Sequence, residues 1–438
     1  MTATSRPGFL VRQFPALGSR DYTLLFINSV FAAGANWALL LARGWLVFDI
    51  TGSSAAVGLV TFSGMAPFVF ASPLAGALAD RMDRRLLSIW AAYISLIGTV
   101  GLAIVTIAGV VEVWHVVVFS LLGGISRAVQ QPASNSMTPS LVAPEHLLNA
   151  IALQGISVHG TRIIGPLLGG VILAALGPGP VFLLSAGLMA AGTVALWMIR
   201  YRPEVRRAAG GLTTGIFRDI AEGMEYVGRD PRLALVITLV VLHCALTMAF
   251  DSMMPGLSAD VGGGARTYSA ILMGLGAGAV AGTVLVSRIQ TSAMQGRALL
   301  ITGMGSGLAM VMMGFAQTPA MVILGAMFAG GTQASYMSIS QAFVQEVTPD
   351  RLRGRVIATF IMLAAGHMAF VNLGFGAWAD FVGVRPLLVI PGLIWTGLFI
   401  AAILGLPELR LLLRSGRFRE RHIPFAAGVE AAGGGGGG

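Results

Sequence analysis

The sequence predicts an all-α membrane protein of twelve transmembrane helices in two six-helix halves, and three observations carry that prediction. Hydrophobic residues make up 55% of the 438 residues and charged ones 11%, with a mean hydropathy of +0.81. A soluble domain carries about 25% charged residues, so a chain this poor in charge has lipid for its solvent. Twelve apolar stretches are each long enough for a helix that needs roughly 20 residues to cross the hydrocarbon core. They lie at 22–48, 54–78, 86–109, 113–134, 147–175, 180–200, 233–256, 268–288, 298–316, 319–342, 354–380 and 386–406. The longest polar interruption, 201–232, falls between the sixth and the seventh and divides them evenly. A closed barrel is the other structure that satisfies its backbone in lipid, and the alternating strands it requires are absent from the sequence.

Each segment has its own warrant. Residues 1–21 carry Arg6, Arg12 and Arg20 ahead of a span too long for the apolar core of a cleavable signal. Residues 22–200 form the first bundle and 233–408 the second. In the linker between them, Ile216, Ile220, Met224 and Val227 recur at helical spacing with charges opposite. That pattern fits an interfacial amphipathic helix, with a plain solvated connection as the alternative. Residues 409–438 end in a glycine run that has nothing to bury and read as a disordered tail.

The net charge of +9 invites a nucleic-acid reading, but its placement argues for a membrane. Every basic residue apart from histidine is arginine, and nearly all lie in alternate loops, at both termini and in the central linker. The opposite loops hold Asp49, Glu112, Asp251, Asp260 and Asp380, with only Arg266 and Arg385 as bases. That asymmetry places both termini in the cytoplasm of a cell whose inner membrane the chain crosses. The single cysteine, Cys244, rules out an internal disulfide. The halves also repeat weakly at an offset of about 205 residues: Val142-Ala143-Pro144-Glu145 falls over Val347-Thr348-Pro349-Asp350. Repeats of six spans are how transporters alternate access around a site at the midplane.

Between the second and third spans stands the charged loop Gly76–Arg85, GALADRMDRR. Together with the twelve spans and the central linker it resembles the major facilitator superfamily, whose signature there is G-x-L-x-D-R-x-G-R-R/K. Gly76, Leu78, Asp80, Arg81, Arg84 and Arg85 match, while Asp83 stands where the pattern has Gly. The resemblance implies a gate. Gly76 lets a helix of the other half approach closely, Asp80 faces the positive N-terminus of the eleventh span near Gly354, and the arginines pair with acids across the seam. Setting topology by charge alone is the plainer alternative.

The fifth span carries Gly160, Gly165, Pro166, Gly169 and Gly170, which match the superfamily's antiporter pattern. Gly165 and Gly169 form a small face, Pro166 bends the helix, and Gly274, Gly278 and Gly282 of the eighth span offer a complementary seam. Spans five and eight are therefore expected to cross closely at an outer gate; generic small-residue packing is the alternative. Three stretches resemble the branch that holds the enterobactin exporter and related secretion and multidrug permeases. They are Asp49–Ser53, Pro132–Ala152 and Val347–Ala358.

Polar groups inside the spans are costly and are candidate substrate contacts: Asn36, Arg127, His159, Arg162, Gln333, Tyr336, His367 and Asn372. In this fold spans one, four, seven and ten line the cavity, which favours Asn36, Arg127, Gln333 and Tyr336. Arg127 and Arg162 in one cavity favour an anionic substrate. Arg43 and His243 stand either in the cavity or near interfaces. No carboxylate is expected deep in a helix, with Asp49 and Asp251 near outer ends and Asp380 at the rim. Proton coupling is therefore implied by the resemblance alone, with His159, His243 or His367 as titrating candidates.

These readings converge on a monomeric, proton-coupled exporter of a small amphipathic or anionic compound, siderophore- or drug-like. An uptake permease for a metabolite and a non-transporting receptor on the same fold are the alternatives. No Walker loop, HExxH, GxSxG or metal-ligand cluster occurs, so no enzyme activity, metal or cofactor is expected.

Overall fold

The computed structural model describes residues 13–200 and 214–417. Within its helices the side chains at 68–81, 159, 214–220, 350 and 351 fall outside the described set. The first six long helices are α1 (Arg20–Thr51), α2 (Ser54–Arg81), α3 (Arg84–Ile107), α4 (Val113–Leu141), α5 (Leu147–Leu176) and α6 (Pro178–Met198). Then follow α7 (Thr214–Arg229), α8 (Pro231–His243), α9 (Met254–Asp260), α10 (Gly264–Ser287), α11 (Ser292–Phe315), α12 (Pro319–Val347), α13 (Asp350–Val382), α14 (Pro386–Gly405) and α15 (Pro407–Ser415). No strand occurs among the described residues. Among the described residues ten spans are long and apolar enough to cross a membrane, α8 and α9 counting as one. The other two expected spans are α2 and α12, of 28 and 29 residues, which lie packed among the ten.

Helices α1–α6 pack on one another, as do α8–α14, and the halves meet along α2 against α13 and α5 against α10. One end of the bundle, here the near end, carries the turn Pro15–Gly18 and α7; the far end carries the turns at 52–53 and 383–385. Large apolar side chains such as Ile97, Val171 and Phe381 stand exposed around the outside, as a lipid-facing surface requires.

Element edges differ from expectation in four instructive places. The segment expected as a disordered tail from 409 begins as helix α15, which buries Leu409, Leu412 and Leu413. Helix α4 runs on to Leu141 through Pro132 and Pro139, beyond the expected end at 134. Proline is tolerated inside membrane helices because neighbours re-satisfy the backbone groups it frees. The charged segment 76–85 is mostly helix: α2 extends to Arg81, and only Met82 and Asp83 make the turn. Asp83 caps α3, its side chain accepting from the backbone N–H of Arg85 and Leu86 at a negative φ of −60°. A carboxylate cap thus makes the turn that the family pattern gives to glycine.

The seventh span, expected as one helix, is broken. Helix α8 ends in a π turn, Cys244–Met248, then a 3-10 turn, Asp251–Met253, leads into α9. Neighbouring side chains take up the freed backbone groups. Gln333 Nε2 donates to the Thr247 carbonyl at 2.5 Å, and Asn372 Oδ1 accepts from the Ser252 N–H at 3.0 Å.

In the linker, α7 forms as the amphipathic pattern predicts, and it docks on the foot of α13 through Gly223 against Thr359 and an Arg355–Glu222 ion pair of 2.7 Å. Tyr226 and Val227 are buried while Met224 is exposed, so the apolar stripe is rotated from the expected one; Ile216 and Ile220 lie outside the described side chains. Asp230 caps α8 and grips Arg232 with both oxygens, at 3.0 and 2.8 Å. Asp230→Ala should lower stability by roughly 0.5–2 kcal/mol, read as a fall in melting temperature of the detergent-solubilised protein.

Candidate functional site

A cavity of about 530 Å³ lies between the halves and runs from mid-bundle toward the near end. That size suits a drug-sized ligand. Its two walls differ in chemistry. The first half contributes Asn36, Arg43, Arg127, Gln131, Asn135 and Arg162, and the second half mainly Met248, Phe250, Leu272, Leu275 and Met368.

Helical spacing explains the polar wall. Asn36 and Arg43 are seven residues apart on α1 and share a face. Arg127 of α4 crosses to them, its guanidinium donating to Asn36 Oδ1 at 3.4 Å and to the Gly64 carbonyl at 3.5 Å. Arg162 of α5 lies over the Trp37 ring, 5.0 Å from its centroid, a cation–π contact that holds the charge in a site of low polarity.

Across the cavity stands Asp251, at the start of the 3-10 turn in the broken seventh span. It is half-buried and close enough to interact with the charge of Arg162. The sequence placed Asp251 near an outer end, and its neighbour Ser252 does pack there, beside Gly376 and close to Ser54; the break sets Asp251 in the cavity wall.

The other expected contacts divide. Gln333 lines the cavity while bonded to the π turn. Tyr336 does not line it: the ring is buried 4.2 Å from the His243 centroid and edge-on to Trp395. His243 is itself sealed in that aromatic cluster, away from the cavity. His367 is exposed on the outside of α13, its Nδ1 near the Leu363 carbonyl. Asn372 is buried as a brace for Ser252. Tyr336, His367 and Asn372 were expected to face substrate, and in this structure they lie on another face of a helix or behind a break and do not line the cavity. His159 lies outside the described side chains.

The far end is shut by contacts between the halves. Asp380 of α13 accepts from Ser53 Oγ at 2.5 Å and from the Ser54 and Ala55 N–H groups at 2.7 and 3.2 Å. A carboxylate of one half therefore caps the N-terminus of α2 in the other. Nearby, Ser269 Oγ of α10 donates to the Pro166 carbonyl of α5 at 2.7 Å.

Helices α5 and α10 do cross closely, but through other residues than the expected glycine seam. Gly170 abuts Ser269, and Gly276 packs on the Arg162 backbone. Gly165 and Gly169 instead face α1, while Gly274, Gly278 and Gly282 face α12; Gly160 has nothing beside it. A side chain on Gly278 would run into the Met327 carbonyl. Gly278→Val should therefore cost roughly 1–3 kcal/mol by overpacking, measured as a lowered midpoint in thermal unfolding.

At the near end Gly76, Asp80 and Arg81 lie outside the described side chains. Arg84 Nη1 donates to the Ser136 carbonyl at 2.9 Å. Arg85 binds the Leu196 and Trp197 carbonyls at 3.0 and 2.5 Å and lies over the Trp197 ring. Arg85 thus reaches carbonyls at the end of a helix of its own half, where exposed carbonyls attract cations.

A family model of transmembrane secretion effectors matches residues 13–425. The chain belongs to that family of major facilitator transporters. It is similar to the multidrug efflux pump Tap of Mycolicibacterium fortuitum, with 25% identity over 90% of this chain and 97% of that one. It is also similar to the enterobactin exporter EntS of Shigella flexneri, 26% identical over 70% of this chain and 72% of that protein. In fold it matches the crystal structure of a variant of the nucleoside transporter NupG, with a TM-score of 0.71, 14% identity, and 87% and 99% of the two chains covered. The protein is a membrane transporter for small molecules and not an enzyme.

Proposed function

We propose that this transporter is a proton-driven exporter of a small amphipathic or anionic compound, siderophore- or drug-like, acting as a monomer in the cytoplasmic membrane with both termini inside. The observation that carries the reading is the two-walled cavity with a carboxylate, Asp251, set in its wall opposite Arg162. A carboxylate in a low-polarity site beside one cation is the group suited to take and give a proton as the cavity changes sides. The arginine-rich near end lies in the cytoplasm by the positive-inside rule, so the cavity faces inward here and Asp380 helps shut the outer end. In the opposite state Gly76, Asp80, Arg81, Arg84 and Arg85 latch the inner end, while Pro166 and Gly170 give α5 and α10 room to part. The efflux pumps among its relatives support the outward direction.

The test is dequenching of a pH-sensitive dye in energised everted vesicles across catecholates, organic anions and lipophilic cations. Dequenching by one compound class, lost in Arg127→Ala, is the expected result. Silence across a panel whose positive control responds would overturn the broad exporter reading.

A further inference from the structure

Where the broken seventh span meets α12, a thiol, two thioethers and an imidazole stand together. The Cys244 sulfur lies 3.7 Å from the Met337 sulfur of α12 and 3.8 Å from the Met248 sulfur at the other end of the π turn. A thiol has a single proton, so at least one of these approaches is not a hydrogen bond. One residue back along each helix, His243 stacks on Tyr336, fully buried, and neither of its ring nitrogens has a hydrogen-bond partner. Cys244 is buried as well, while Met248 lines the cavity and gives the cluster an entrance. Among the described residues no group of three His, Cys, Asp or Glu is placed to hold a metal ion, so a hard divalent ion finds no ligand set there. The sulfur set has a different preference. Thiolate and thioether select copper(I), and imidazole suits copper too.

We propose that Cys244, Met248 and Met337 form a binding site for a soft monovalent metal ion, copper(I). A metal–sulfur bond of about 2.3 Å puts the ligands of a planar three-sulfur site about 4 Å apart, close to the two spacings already present. On binding, the thiol gives its proton to solvent through the cavity, and the thiolate and the two thioethers take the ion. Charge selects a monovalent ion. Thiolate and copper(I) sum to zero, whereas a divalent ion leaves a net charge within the span of a membrane, where it is costly. The bound ion ties the π turn to α12, beside the Gln333 bond that already braces it. This is a binding claim and stands apart from the direction and substrate of transport.

The test titrates the full-length protein in phosphatidylcholine nanodiscs against copper(I) held by bicinchoninate, without oxygen and with ascorbate, empty nanodiscs setting the background. The colour of the chelate falls as the protein takes the ion. The wild type should withdraw a single equivalent, and X-ray absorption should show sulfur around the bound copper. Cys244→Ser should withdraw none. Met248→Leu and Met337→Leu should bind at least about tenfold more weakly, a loss that even an outer partner of a metal ligand brings when removed. Met368→Leu, a cavity methionine outside the cluster, should bind as the wild type does. Leucine nearly conserves the volume of methionine, and an unchanged thermal midpoint checks that each variant is folded. Copper left on the chelator by the wild type overturns the site, and the sulfurs then only pack. Undiminished binding by Met337→Leu overturns it too, leaving a lone reactive thiol. Zinc(II) displacing copper(I) at equal concentration overturns the choice of a soft monovalent ion.

Discussion

Asp251→Asn is expected to keep substrate exchange and to lose its response to a pH gradient. One pH unit is worth about 1.4 kcal/mol per proton, which one-for-one exchange converts into a roughly tenfold substrate gradient. Asparagine keeps the shape of the side chain and its hydrogen bonding but takes up no proton. In proteoliposomes with a one-unit gradient imposed, the wild type should concentrate labelled substrate about tenfold, and the variant should stop at equal concentrations. The position of Asp251 is the reason for expecting so large an effect. It lines the cavity, it stands across the interface from Arg162, and it sits where the helix is already broken. A variant that still builds the wild-type gradient would remove Asp251 from the coupling.

Asp380→Ala should open the far end. The carboxylate makes three bonds to the start of α2, two of them to backbone N–H groups that have no partner within the helix. Bonds to a charged group contribute about 1.5–3 kcal/mol each when lost singly. The joint loss is smaller than their sum, because water solvates the freed groups at this rim. A shift of roughly 1.5–3 kcal/mol is tenfold to a hundredfold or more in the balance between the two gate states. Spin labels at Val110 and Gln317, exposed positions on opposite halves at that end, would report it as a longer distance population in double electron–electron resonance. An unchanged distribution would show that the crossing of α5 and α10, with its Ser269–Pro166 bond, holds that end without Asp380.

The local features that the sequence shows are those that depend on near neighbours in the chain. Helix existence followed from apolar length, and the amphipathic helix α7 from the spacing of its apolar residues. Arg127 and Asn36 were legible as site residues because a polar group in mid-span has few uses besides a cavity. The same argument misplaced Tyr336, His367 and Asn372, because mid-span depth does not say which way a side chain faces. Tyr336 faces an aromatic cluster, His367 the outside and Asn372 a backbone break. The glycine series on α10 was read correctly as a packing face, but it meets α12 and not α5. Periodicity marks a face without naming what covers it.

The sequence by itself determined the class, the helices, the family and the store of charge in the spans. Lipid imposes those on composition and pattern, one segment at a time. Only the tertiary structure decided that Asp251 is a cavity residue, because the break in the seventh span is stabilised by Gln333 and Asn372 from distant helices. It also decided that Arg43 joins Arg127, and that Asp380 caps a helix more than three hundred residues away in the chain. Each of these is a meeting of groups far apart in the chain, and the energy that fixes it lies between helices, where no local pattern records it.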